Sequence, residues 1–480
     1  ALFGVQVILG AITAHYSVEG QHFYGIPLAK YLPYSLTRTW HLQTALFWIA
    51  TSFLAAGLFL APIVGGKEPR FQRLGVNILF GALILVVAGS LTGEFLSIHQ
   101  KLGLNISFWI GHQGYEYIDL GKVWQIGLYV GLLLWLVLML RGLWPALVRP
   151  NDNKELIVLF VGASAAIGIF YGAGLFIGAK THLSVMEYWR WWVVHLWVEG
   201  FMEVFATVSM AFIFTYLGLI HPKTAARSVL FSASIFLVSG IPGTFHHLYF
   251  SGTPVSIMAI GASFSALEVI PLILMGLEAS HQVRLGKLAP WMSVYRWPIR
   301  FFLGVCFWNF VGAGLFGFLI NPPIALYYMQ GLNTTAVHAH TATFGVYGLL
   351  SLGLILLILR WLKPNLIWNE RPLAISFWCM NLGLALMVGL SLLPVGLFQA
   401  FASVDQGLWF ARSSEFLQQP HIETLRWLRI VGDTIFLFGV ASLAYFVVRW
   451  FLSKNPSSEN FPELDEHTKP TKFFGEGDSH

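Results

Sequence analysis

The chain has 480 residues, of which 56% are hydrophobic, 16% aromatic and only 11% charged, and its mean hydropathy is +0.68. That much apolar surface exceeds what a water-soluble core encloses, so the composition excludes a soluble protein and predicts an integral membrane one. The formal net charge of +5 does not point to nucleic acid, because the Lys and Arg residues stand in short connectors beside apolar runs, where membrane topology places them.

Apolar segments of about 20 residues, long enough to cross the hydrocarbon as a helix, recur along the chain. They lie near 1–18, 41–63, 74–98, 122–146, 156–178, 187–219, 227–250, 254–280, 298–321, 336–361, 373–400 and 426–452, which predicts an all-α bundle of about twelve transmembrane helices. The connectors "GGKEPRFQR", "VRPNDNK", "HPKTAAR", "HQVRLGK" and "RWLKPNLIWNERP" carry most of the free positive charge. By the positive-inside rule both termini then face the cytoplasm, and the even-numbered spans run inward. Residues 1–452 form the transmembrane domain on this reading, and the polar, Pro- and Ser-containing stretch 453–480 is a cytoplasmic tail. The opening "ALFGVQVILG" has neither an initiator Met nor a basic n-region, as expected of a fragment or a processed form.

This topology converts sequence positions into depths. His41 stands at the outer start of the second span, His338 and His340 at the outer start of the tenth, and His246 and His247 at the outer end of the seventh. His195 lies about 13 Å into the sixth span from the same side. Six histidines therefore share one half of the membrane. A lone intramembrane histidine is as often a hydrogen-bonded packing residue as a ligand, but an adjacent His-His pair is costly there without partners. The pair in "HAH" is about 200° apart on a helix and faces opposite sides, which suits two separate ligation roles.

His195 and Glu199 stand four residues apart and share a helical face. With His246 and His247 they offer three imidazoles and a carboxylate, a set suited to non-haem iron. His41 and His340 are placed to close a six-coordinate haem, and His338 to hold a second haem with one open position. Together these make a dinuclear site for a small diatomic substrate. The two cysteines, Cys306 and Cys379, lie in apolar runs and exclude a C-x-x-C-H haem attachment site.

The motifs "TWHLQ", "HLWVEGFMEVF", "GTFHHLYF" and "AVHAHTATFGVYG", in that order over twelve spans, resemble the catalytic subunit of the haem-copper oxidase superfamily, and within it the nitric oxide reductases. The resemblance covers residues 1 to about 452. It implies that His41 and His340 ligate a low-spin haem b, that His338 ligates a high-spin haem b3, and that His195, His246, His247 and Glu199 hold a non-haem iron. In oxygen-reducing relatives a tyrosine commonly follows the sixth-span histidine by four residues. Here that position is Glu199, which cannot serve as a redox donor but stabilises iron for coupling two nitric oxide molecules. Glu203 and Glu268, the latter in "FSALEVIPL", correspond to carboxylates that serve the metal site and proton delivery, with helix-to-helix hydrogen bonding as their plain structural alternative.

His15, Glu19 and Phe23, in "AHYSVEGQHFYG", and Asp433, in "RWLRIVGDTIFLF", resemble the quinol site of the quinol-dependent branch. The resemblance also implies a calcium site beside the haem propionates with a carboxylate from the outer loop between the third and fourth spans, where Glu116 stands in "GYEYIDLG". That branch usually carries an extra N-terminal helix and cytochrome-like segment, and the resemblance implies such a segment, outside this sequence, as a further expected partner. The expectation is a quinol-dependent nitric oxide reductase, embedded in membrane lipid of a bacterial cytoplasmic (inner) membrane, with a homodimer as a further expectation and no nucleic-acid partner. The alternatives are an oxygen-reducing quinol oxidase, a relative that dismutates nitric oxide and, from another class, an ion-coupled transporter.

Overall fold

The computed structural model describes residues 1–114, 119–149, 154–216, 220–249, 251–265 and 294–454, with the side chains of all but 23, 24, 198–200 and 216. The chain divides into two compact units, Ala1–Pro271 and Leu272–His480. The first holds α1 (Leu2–His22), α2 (Tyr34–Gly65), α3 (Gln72–Ile98), α4 (Lys122–Val148), α5 (Lys154–Phe176), α6 (Leu183–Thr215), α7 (Pro222–His247) and the shorter α8 (Val255–Ser265). The second holds α9 (Arg296–Ile320), α10 (Asn333–Leu362), α11 (Glu370–Gln406) and α12 (Pro420–Leu452).

Eleven of these helices are long and apolar enough to cross a membrane. The protein is all-helical and multi-pass, as expected. α8 occupies the described part of the predicted segment 254–280; the remainder, which includes Glu268, lies outside the described residues. The described residues contain one isolated β-bridge, between His112 and Leu120.

Helix boundaries follow local chemistry. α2 stops at Gly66, whose φ of 71° and left-handed conformation let its amide reach the Ile63 carbonyl. α7 starts with Pro222 in its first turn, where a missing N–H costs nothing, and the His221 side chain accepts from the Lys223 amide. Asn369 caps α11 in the same way through the Arg371 amide.

Within each unit, small residues bring helices together, which matters where lipid supplies no hydrophobic drive between them. A Cβ on Gly65 would strike the Gly142 carbonyl, so α2 and α4 cross in backbone contact. In the second unit a Cβ on Gly383 would lie 2.6 Å from Phe436 N, and one on Gly432 would strike Met387 N, which fixes α11 against α12. Trp308 Nε1 donates to Asn381 Oδ1 at 2.8 Å and ties α9 to α11, a contact worth about 0.6 kcal/mol in a membrane setting.

The most enclosed helices are α6, 93% buried over its apolar stretch, which carries His195, and α10, 78% buried, which carries His338 and His340. Around α6 the rings of Phe53, Trp135, Phe160, Phe201 and Phe205 interlock at centroid distances of 5.2–6.4 Å. Phe80, Ile84 and Leu85 on α3 remain more than half exposed, which suits a face turned to acyl chains.

Candidate functional site

α6 and α7 depart from α-helical geometry where they approach each other's histidines. Wide, π-helical turns run over Trp192–Leu196, Val198–Phe205 and Phe236–Gly240. Such turns carry an extra residue and re-aim side chains and carbonyls, and they concentrate at functional sites. The first contains His195, which is 2% exposed. The third ends at Gly240, whose carbonyl accepts from His195 Nε2 at 3.0 Å. Beyond it the chain tightens into a 3₁₀ turn over Thr244–His247 that sets the two adjacent imidazoles side by side.

Three ring nitrogens converge there, all within 4.8 Å of one another. His195 Nδ1 lies 3.2 Å from His247 Nε2, and His246 Nε2 lies 2.7 Å from His247 Nε2. Because Nε2 of His195 donates to a carbonyl, its Nδ1 presents a lone pair to the cluster. Gly261 on α8 makes the approach of the neighbouring helix possible, since a Cβ there would stand 2.6 Å from His246 N. Three converging imidazoles, one fixed in its tautomer by a backbone carbonyl, form a donor set that fits a first-row transition metal.

Each of the other three histidines shows the same tautomer control. His41 Nδ1 pairs with the Gln6 carbonyl at 2.8 Å, and the ring rests on Gly10 of α1, where a Cβ would come within 2.5 Å of Cε1. His338 Nδ1 pairs with the Gly312 carbonyl at 3.0 Å, and its ring lies over Gly317, both on α9. His340 Nδ1 pairs with Ala336 O at 2.8 Å, and its Nε2 is 3.5 Å from the Arg429 guanidinium. A carbonyl at Nδ1 makes that nitrogen the N–H donor and leaves Nε2 with the lone pair, as axial ligation of a haem requires. The donor chemistry of all three residues fits that group.

α1 continues past His15 and Glu19, which therefore stand one turn apart, both half-buried. The side chain of Phe23 is outside the described residues. Asp433 forms an ion pair with Arg429 at 3.1 Å, and Arg429 also lies 3.7 Å from Met387 Sδ. Glu203 is half-buried on α6. Glu199 occupies its helix position, but its side chain is outside the described residues, and Glu116 and Glu268 are outside them altogether.

The structure adds polar residues that the sequence reading passes over. Glu94 on α3 is fully buried and accepts a hydrogen bond from the Gln43 amide, two residues beyond His41. An intramembrane carboxylate is itself a signal, and the rule that singles out Glu203 applies equally to Glu94. Lys122 is buried at the start of α4 and donates to Gln125 Oε1 at 3.2 Å and Gly174 O at 2.9 Å. Asp119 is 2% exposed in the connector before α4, with His112 Nε2 at 3.8 Å. Burial pushes its carboxyl up to about 7, while Arg190 and Arg38 pull the other way. Burial likewise holds His112 below its ordinary value.

The comparisons agree with this architecture. The chain is 26% identical to a nitric oxide reductase subunit of Stutzerimonas stutzeri over 466 residues, covering 92% of this chain and 91% of that protein. A heme-copper terminal oxidase dimer, solved by cryo-electron microscopy, superposes with a TM-score of 0.59 at 14% identity, over 95% of this chain and 84% of that one; this likeness speaks to the fold alone. Residues 1–435 match the family described as cytochrome c and quinol oxidase polypeptide I, and with nearly the whole membrane domain matched, the chain belongs to that family of haem-copper oxidoreductases.

Proposed function

We propose that the protein reduces nitric oxide to nitrous oxide and water with electrons from quinol, as a multi-pass enzyme of a bacterial cytoplasmic membrane. The observation that carries this reading is the convergence of His195, His246 and His247, with Glu199 one turn further along α6. A 26% identical relative named as part of a nitric oxide reductase supports it.

On this reading residues 1–452 are the catalytic domain and 453–480 its cytoplasmic tail. His195, His246, His247 and Glu199 hold a non-haem iron; His41 and His340 hold low-spin haem b; His338 holds haem b3; Glu116 contributes to a calcium site. When bound, these groups supply one-electron transfer and Lewis-acid stabilisation of negative charge on the coupled nitric oxide molecules. Gly240, Gln6, Gly312 and Ala336 orient the imidazoles through their carbonyls. Glu203 and Glu268 hold and pass the two protons that the reaction consumes. His15, Glu19, Phe23 and Asp433 bind the quinol head group and accept its protons.

The test is metal analysis of the purified enzyme together with nitrous oxide production from quinol and nitric oxide. Iron in excess of the two haems and no copper is the expected result; copper, with oxygen reduction, would replace this reading with the oxidase one. Glu199→Ala is expected to lower non-haem iron and turnover by about 10–100-fold while both haems stay bound. Normal iron and normal turnover in that variant would remove the glutamate from the site.

A further inference from the structure

The turn that leads into the histidine cluster is braced by three side chains that none of the roles above uses. Glu187, Arg190 and Trp191 lie on the last turns of the helix Leu183–Trp191, immediately before the wide turn that carries His195. The Glu187 carboxylate accepts from Arg190 Nη1 at 2.9 and 3.2 Å and from Trp191 Nε1 at 3.0 Å. The Arg190 guanidinium lies 4.8 Å from the Trp191 ring centroid, close enough for a cation–π contact. The indole in turn lies flat on the His247 ring, with centroids 3.9 Å apart and planes 5° from parallel.

The three imidazole pairs within the cluster meet at 68–71°, the edge-to-face geometry that ring quadrupoles favour. The Trp191–His247 pair is parallel instead, and parallel stacking fixes a ring's plane where an edge contact would let it rock. Glu187 fixes the indole at its N–H, the indole fixes the plane of His247, and that plane directs His247 Nε2 toward His195 and His246.

We propose that Trp191, anchored by Glu187 and Arg190, is a positioning residue for the metal-binding imidazole of His247. This rests on the metal reading of the histidine cluster. The stack removes ring rotation from the free site, so less order has to be imposed when the ion binds; outer residues of this kind are worth about 10–100-fold in metal affinity.

The experiment follows loss of non-haem metal from the detergent-purified holoenzyme during dialysis against excess EDTA, with the haem absorption bands and melting temperature as controls. Trp191→Leu is expected to speed metal loss about tenfold or more with both controls unchanged, and Trp191→Phe, which keeps a flat ring, to restore the rate to within about threefold of wild type. Wild-type loss in the leucine variant, or equal acceleration in both variants, would overturn the stacking role while leaving the metal site standing. A wild-type enzyme that holds no metal beyond its haems would overturn the metal reading, and this one with it. If the leucine variant fails to assemble its haems, Glu187→Ala carries the test, because it leaves Trp191 in place and removes only its anchor. Faster metal loss there supports the proposal, and an unchanged rate overturns it.

Discussion

His338 and His340 stand two residues apart on α10 and reach different neighbours: His338 Nδ1 is 3.0 Å from the Gly312 carbonyl of α9, while His340 Nε2 is 3.5 Å from Arg429 of α12. If the two serve separate haems, His338→Ala should remove the high-spin component of the absorption spectrum and leave the low-spin bands, with turnover abolished. Loss of both haems, or of neither, would show that the rings do not divide the work.

Gly10 is the floor on which the His41 ring rests. Gly10→Ala would place a methyl 2.5 Å from Cε1, forcing the ring or α1 to shift at a cost of about 1–3 kcal/mol. The expected outcome is a weakened or displaced low-spin haem spectrum with the high-spin bands preserved. Gly4→Ala serves as the control, since nothing lies within 4 Å of its added methyl, and an equal effect there would assign the loss to helix α1 in general.

Asp433 keeps its shape but loses its charge in Asp433→Asn, and the ion pair with Arg429 goes with it. With quinol as donor, turnover should fall by about tenfold or more, equivalent to about 1.4 kcal/mol of transition-state stabilisation. With an artificial one-electron donor it should stay close to wild type, and His15→Ala should behave in the same way. Parallel losses with both donors would move Asp433 and His15 out of the quinol site and into the support of the fold.

Asp119 gives a pH dependence with a definite sign. Its folded carboxyl titrates at about 7 against an ordinary value of 3.8, so between these limits the folded state binds the extra proton and stability falls as pH rises, levelling off above 7. The decline is on the order of 3–4 kcal/mol across the window. Asp119→Asn should flatten it, which thermal unfolding in detergent at pH 4.5, 6 and 8 would measure. A slope unchanged by the substitution would place the dependence on another group.

Much of the fold was legible because span length and apolar composition act locally along the chain; the boundaries of α3 at 72–98 and α4 at 122–148 fall within two residues of those expected. The divergence of His338 and His340 was legible for a similar reason, since two residues on a helix turn about 200°. The pairing of Arg429 with Asp433 follows from an i,i+4 spacing but went unread beside the quinol resemblance. Contacts made only by packing were not legible. Gln43 meets Glu94 across two helices, Asp119 draws on Arg38 and Arg190 from distant segments, and Trp191 in "YWRWW" reads as one aromatic among several until its plane is seen against His247.

The wide turns of α6 are a phase slip in an otherwise periodic object. Each inserts a residue that a 3.6-fold repeat has no place for, so the apolar stripe below the slip and the stripe above it cannot lie along one line. α6 is thereby two shorter helices sharing one continuous backbone, each free to choose its own inward direction. The second wide turn commits Phe201 and Phe205 to the aromatic core, and the first turns His195 toward Gly240 and the adjacent histidines. Deleting one residue between 192 and 196 would leave length and hydropathy almost untouched, yet it would remove the first of the two slips and turn His195 relative to Phe201 and Phe205, and either the core or the cluster would have to give way.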